Sequence, residues 1–329
     1  MLNYENVINN SNGHKLICMD IKMDRISHAY LFVSPDENYL YKFSIEVAKM
    51  FINIKEKENI NKNNIRIDNH THPDVMIYGN NDSLINVEIV NEIFEKAQVC
   101  PFESDKKIFV LFNVQDMNDI SQNKILKLIE EPPKNTYFIL AATGTTRILS
   151  TILSRVKQVK LNEISNSEIS KILVETGVKE QNAEIYASCS NGNSSFAEKL
   201  ATDEGFIDFF EKIVSCFFEI KGSKDVLKYS SIFTAKNIDK NEFFDIATII
   251  SRDLSMIISG KPELVICKNV LIKLKVIASS LNLSSTSILI STCIESKKDL
   301  VYNANQTAVI DKFLFKLAEV KVKCRRLLV

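Results

Sequence analysis

KILKLIEEPPKNTYFILAATGTTRILSTILSRVKQ, residues 124–158, decides how the first half of the chain is read. Ile125, Leu126 and Ile129 share one face of a helix that starts near Asn118 and ends at Glu131. Pro132 and Pro133 stop it, because proline cannot continue the hydrogen-bond ladder. Tyr137–Ala142 then reads as an apolar strand, followed by a turn and by Ser154-Arg155. An arginine thus stands just past what looks like the rim of an α/β core.

The same alternation extends upstream. Ala29–Val33 and Ile108–Phe112 are short apolar runs of the kind that buried parallel strands show, and Asp74–Tyr78 is a further strand candidate. Helical periodicity covers 39–52 and 87–99. The polar stretch between them, residues 53–74, has little to bury and reads as a loop or a poorly ordered insertion. Alternating strands and helices imply a parallel α/β sheet. Beyond about residue 160 the strand-like runs fade. Three short helices are expected within 162–200, a turn at SNGNSS (190–195), and longer amphipathic helices at 206–220, 241–259 and 307–323.

The totals narrow the class. Of the 329 residues, 45% are apolar and 25% charged, an ordinary globular balance. Lys+Arg and Asp+Glu each number 41, so no global field draws the chain to nucleic acid, and any DNA role needs a local patch or a partner. The basic tail KVKCRR (321–326) reads as a solvated helix end in preference to a DNA contact. The seven cysteines have no CxxC or other metal-like spacing, which predicts reduced thiols in a cytosolic protein. The N-terminus lacks a signal-peptide pattern, and no apolar run approaches the ~20 residues of a membrane span. A cytoplasmic location is expected.

A strand, loop and helix at 29–52 is where a phosphate loop would sit. That chemistry needs glycines for close backbone approach, a lysine for the β- and γ-phosphates, and Ser or Thr for magnesium. The loop here is SPDENYLY, 34–41, without a glycine. Leu40 and Tyr41 stand where Lys and Ser/Thr are required, and Asp36 and Glu37 add negative charge. The second element, KIFVLFNVQDMN (107–118), ends its strand in Phe112-Asn113 where acidic residues would hold magnesium. By themselves these losses describe an α/β domain that never bound nucleotide.

An ordered set of motifs adds more: DRISHAYLF (24–32), HPDV (72–75), the DMN…ILKLIEEPP region (116–133), TYFILAAT (136–143) and TILSR (151–155). Together they resemble the AAA+ subunits of the bacterial clamp loader, most strongly over 24–158. SRDL (251–254) and YNAN (302–305) carry a weaker resemblance to that family's C-terminal collar. The resemblance implies a RecA-like AAA+ domain with a parallel sheet over 1–160, a small helical lid over 161–205 and an all-α collar for oligomerisation over 206–329. It also implies a hetero-oligomeric ring with the family's ATPase subunits and delta subunit, acting on the sliding clamp and primed DNA through the complex. No membrane association is expected.

In that family the arginine of a Ser-Arg-Cys motif reaches across a subunit interface into the neighbour's ATP site. Arg155 matches it, Val156 replaces the cysteine, and Ser154 shapes the turn. Arginine suits this role because it stays charged and offers a planar fork to phosphate oxygens. Without the surrounding motifs, Arg155 reads as a surface residue or part of an internal salt bridge. The family's lid carries a second nucleotide-sensing arginine, and the matching position here is Phe196. Many relatives hold zinc with four cysteines ahead of the HPD motif. Residues 19–99 contain no cysteine, and His70 and His72 alone make a poor site, so neither zinc nor any other cofactor is expected. Glu130-Glu131 reads as a helix-terminal polar pair, since consecutive helical residues point ~100° apart.

The resemblance therefore implies a non-hydrolysing subunit that completes a neighbour's ATPase site during DNA replication. Two other readings stand beside it. One is a degenerate AAA+ subunit of another DNA-processing assembly. The other, an atypical self-contained NTPase, is opposed by the missing Lys, Ser/Thr and acidic residues.

Overall fold

The computed structural model describes residues 3–56, 58–80, 84–190, 192–235, 238–302 and 304–326. Two compact units emerge from it. The first comprises Met1–Gly177 with Gly192–Phe196, and the second Val178–Asn191 with Ala197–Val329.

In the first unit, α1 (Glu5–Asn10) and α2 (Asn12–Lys22) lead into β1 (Ala29–Val33) and α3 (Glu37–Ile52). Next come α4 (Ile60–Asp68), β2 (Val75–Tyr78), α5 (Val87–Ala97) and β3 (Lys107–Leu111). The unit continues through α6 (Asp119–Glu130), β4 (Thr136–Ala142), α7 (Ser150–Leu153), β5 (Lys157–Lys160) and α8 (Asn166–Glu175). The five strands form one parallel sheet in the order β2-β3-β4-β1-β5. Because β1 pairs with β4 and β5, chain order and spatial order part beside it, and the carboxyl ends of β1 and β4 open onto a crevice. The apolar runs AYLFV, KIFVL and TYFILAA are buried because helices cover both faces of a parallel sheet. Phe109 and Phe138 stack across β3 and β4 with ring centroids 5.4 Å apart.

The second unit is helical throughout its described residues. Its helices are α9 (Glu180–Ser190), the body of α10 (Ser194–Thr202), α11 (Glu204–Glu219), α12 (Ser223–Phe233), α13 (Lys240–Ile258), α14 (Leu271–Ala278), α15 (Leu283–Val301) and α16 (Gln306–Arg326). Phe243 anchors the core, 4.8 Å from Phe233 and 5.6 Å from Phe313 between ring centroids. This is an α/β fold with a parallel sheet, followed by helical structure.

The polar stretch 53–74 departs from the loop expected there. It holds α4, which buries Asn63 and Ile67 one helical turn apart. Asn53 and Asn63–Asn64 exchange side-chain hydrogen bonds, and Lys49 pairs with Asp68 at 2.8 Å. Polar partners thus dock a helix that has too few apolar residues to reveal itself by periodicity. Lys321 also departs from a solvated tail. It is 3% exposed, and its ammonium donates to the carbonyls of Phe217, Phe218 and Ile220 at the C-terminal end of α11. The turn at 190–195 includes Asn191 and the YNAN motif includes Asn303, both outside the described residues.

Candidate functional site

A helix N-terminus leaves backbone N–H groups unpaired and carries positive partial charge, so it attracts anions. The N-terminus of α3 lies directly after β1, where a phosphate loop would deliver its ligand. Here the chain supplies the anion. Asp36, 2% exposed, caps α3 by accepting from the Tyr39 N–H at 3.1 Å. The same carboxylate accepts from the Ser194 N–H at 2.5 Å, the Ser194 hydroxyl at 2.5 Å and the Ser195 hydroxyl at 2.9 Å. In return the Asn38 N–H donates to Ser195 Oγ at 3.0 Å, and Tyr4 hydrogen-bonds Ser194 Oγ at 2.6 Å. A carboxylate sharing four donors at a helix N-terminus is well stabilised while buried. At the helix N-terminus it takes the Tyr39 N–H, a donor that a phosphate bound there would use.

The neighbouring positions are filled as well. Leu40, at the lysine position, is 3% exposed and belongs to the core. Tyr41, at the Ser/Thr position, packs on Phe112, at the acidic position, with ring centroids 5.1 Å apart. The Tyr41 hydroxyl hydrogen-bonds His70 Nε2 at 2.8 Å, and burial raises the phenol's pKa, so the group stays neutral. Asn113 adopts a left-handed conformation (φ 54°) and donates through Nδ2 to the Gly79 carbonyl at 3.1 Å. Two aromatic rings therefore stand at the positions where the sequence reading looked for a Ser/Thr and an acid.

The rim arginine is built on a braced strap. Gln122 of α6, 1% exposed, donates to the carbonyls of Met117 (3.0 Å) and Arg147 (2.9 Å) and accepts from the Leu149 N–H at 2.9 Å. Arg147 also reaches Asp116 at 3.2 Å. These bonds fix the chain entering α7, whose Ile152 is fully buried. Arg155 follows in the short link between α7 and β5. Its Nη1 donates to the Thr151 carbonyl at 3.1 Å and to Ser154 Oγ at 3.2 Å, and its Nε lies 2.5 Å from Glu130 Oε1. Ser154 itself donates to the Thr151 carbonyl at 3.0 Å, as a turn-forming serine does.

The remaining motif residues take structural positions. Asp74 of HPDV is fully buried and accepts from the N–H groups of Phe102, Glu103 and Ser104 at 2.6, 2.8 and 2.8 Å. His72 is 4% exposed, accepts the Asp74 N–H on Nδ1 at 3.2 Å, and has its pKa lowered by burial and then by Arg66. His70 is spent on Tyr41. Among the described residues no three His, Cys, Asp or Glu side chains converge as a metal site requires. Phe196 is half-buried, and its N–H is capped by Asn193 Oδ1 at 3.0 Å. In SRDL, fully buried Asp253 accepts from the N–H groups of Ile266 and Cys267 at 2.9 and 2.8 Å.

Sequence reading missed three contributors. Asp36 registered only as unwanted charge, although Asp before a helix is an N-cap signal. Gln122 gave no signal. Glu130 stood out only as half of an acidic pair.

A five-stranded parallel sheet followed by helical structure makes this an α/β protein with a helical C-terminal part. The family model described as "DNA polymerase III, delta subunit" matches residues 10–165. The DNA polymerase III subunit delta' of Bacillus subtilis (strain 168) is 24% identical over 314 residues, covering 93% of this chain and 95% of that protein. The delta' subunit of Buchnera aphidicola subsp. Baizongia pistaciae is 30% identical over 196 residues, 54% of this chain and 56% of that one. Among solved structures, a gamma subunit-related protein from Thermotoga maritima matches with a TM-score of 0.45 at 16% identity, covering 93% of this chain and 99% of that chain. Along nearly its whole length the chain is thus similar to a DNA polymerase III delta' subunit. No helix among the described residues is long and apolar enough to cross a membrane.

Proposed function

We propose that this chain is the non-hydrolysing member of a clamp loader and lends Arg155 to the ATP site of a neighbouring subunit. In this reading it sits in a hetero-oligomeric ring with the ATPase and delta subunits. It assists the ATP-driven loading of the sliding clamp onto primed DNA, and 206–329 forms the collar that joins the ring. One observation carries the reading: the chain's own nucleotide seat is filled by Asp36, Leu40 and the Tyr41–Phe112 pair, while an arginine stands on a braced strap at the rim of the same domain. An arginine finger asks nothing of its own subunit's nucleotide site. It asks for a fixed launch point, so that little entropy is lost on docking, and for a neighbour. Supplied in trans, such a residue is worth ~10³–10⁵ in rate in phosphoryl transfer.

Steady-state ATPase of the reconstituted complex, with gel filtration to confirm assembly, tests the reading. Arg155→Ala is expected to assemble normally and to lose most of the DNA- and clamp-stimulated hydrolysis. Arg155→Lys is expected to rescue poorly, because an ammonium keeps the charge but loses the two-pronged geometry. Wild-type hydrolysis and loading by the assembled Arg155→Ala complex would reduce Arg155 to a surface ion-pair residue. The isolated chain is expected to show no ATP binding by calorimetry, and micromolar binding would overturn the non-nucleotide reading.

A further inference from the structure

We infer that Glu130 is a positioning residue for Arg155, holding the guanidinium in a launch geometry before any neighbour docks. The inference rests on the arginine-finger reading above and names how that finger is set.

Glu130 is the last residue of α6, immediately before Glu131 and the two prolines. A carboxylate there sits at the negative end of the helix dipole, where lysine and arginine are favoured and acids are not. Local sequence rules that are broken in a folded chain point to a compensating contact or a function. The contact is Arg155, whose Nε lies 2.5 Å from Glu130 Oε1.

The geometry of that contact matters more than its strength. The guanidinium is held on two sides. Glu130 forms an ion pair at Nε, while the Thr151 carbonyl and Ser154 Oγ accept hydrogen bonds from Nη1. Nη2 makes no hydrogen bond among the described residues. The guanidinium is thus held along its Nε–Nη1 edge by an ion pair and two Nη1 hydrogen bonds, and the outer nitrogen keeps its two protons for an incoming acceptor. Both partners are about 40% exposed on their side chains, at 41% and 38%, so a docking surface can reach the pair. Exposed pairs contribute little to global stability. Their use here is rotameric: arginine has four freely rotating side-chain torsions, and fixing them before the encounter removes part of the ordering cost from the catalytic step. Glu130 comes from α6 and Arg155 from the α7–β5 link, and buried Gln122 ties α6 to the start of that link. The holder and the held group therefore share one rigid frame.

The test uses the reconstituted complex carrying Glu130→Gln, Glu130→Asp, Arg155→Ala or the double variant. Glu130→Gln is expected to lower stimulated kcat by roughly two- to fivefold, the scale of one exposed ion pair, with KM for ATP unchanged. Glu130→Asp is expected to recover part of the loss. The double variant is expected to match Arg155→Ala alone, since a residue that works only through Arg155 has nothing left to position. Wild-type kcat in Glu130→Gln, beside a crippled Arg155→Ala, would overturn the inference and leave the arginine finger standing. A raised kcat would overturn it too, by making Glu130 a competitor for the guanidinium. An equal loss from Glu130→Gln in the presence and absence of Arg155 would mark a merely structural role. If Arg155→Ala itself has no effect, the functional reading fails, and this inference with it.

Discussion

Replacing Asp36 with alanine removes a helix cap and a tether at once. Loss of an N-cap costs ~1 kcal/mol, and a buried donor left without a partner costs ~1–3 kcal/mol. The Tyr39 N–H loses its cap, and the buried Ser194 N–H loses its only described acceptor. The two serine hydroxyls rotate, and Ser194 Oγ keeps Tyr4, so they add less. The sum is ~2–4 kcal/mol. For a unit of this size that lowers the melting temperature by on the order of 10 °C. Asp36→Asn keeps a capping oxygen but gives up the charge-assisted bonds, and its loss is expected to be less than half as large. Urea titration followed by circular dichroism gives the stability difference, and hydrogen exchange at Ser194 and Ser195 locates it. An Asp36→Ala protein within ~0.5 kcal/mol of wild type, with unchanged exchange at those amides, would refute the assignment of this carboxylate as the tether.

Two further outcomes follow from buried ionisable side chains. His72 is held neutral because burial lowers its pKa below the ordinary 6.5. The unfolded chain then binds the proton more readily, so stability is full above about pH 6.5 and declines as pH falls through that value toward the folded one; a His72→Asn protein is expected to show a flatter melting temperature between pH 7.5 and 5.5, and equal slopes would contradict this. Lys321→Ala strips three carbonyls at the end of α11 of their donor, and is expected to cost ~2–4 kcal/mol in denaturant titration, whereas Lys323→Ala, on an exposed side chain paired with Glu319, is expected to fall within ~0.5 kcal/mol of wild type.

The central strands were legible because a strand buried on both faces is written as an unbroken apolar run, as in AYLFV and TYFILAA. β5 was not, because KQVK is a short edge strand whose polar residues face water. Among the helices, 206–220 and 241–259 announced α11 and α13 by their apolar stripes. α15 hid behind LSSTSILIST, where serine and threonine interrupt the period and their hydroxyls bond back to helix carbonyls, as Thr292 does to Ile288 at 2.7 Å. At the site, the missing lysine and glycines were visible as letters. What replaced them was not, because Asp36 meets Ser194 and Ser195 across 158 and 159 positions of sequence, and no local pattern encodes such a meeting.

An anion that binds only the native state stabilises it by an amount that grows with its concentration. At the start of α3 the anion is a side chain, joined by covalent bonds to the helix it caps. Its supply does not vary with the energy charge of the cell, and it has no dissociation step through which a nucleotide cycle could be timed. Where a ligand-bearing helix N-terminus would register whether triphosphate is present, the cap of α3 stays with its helix whatever the ligand supply.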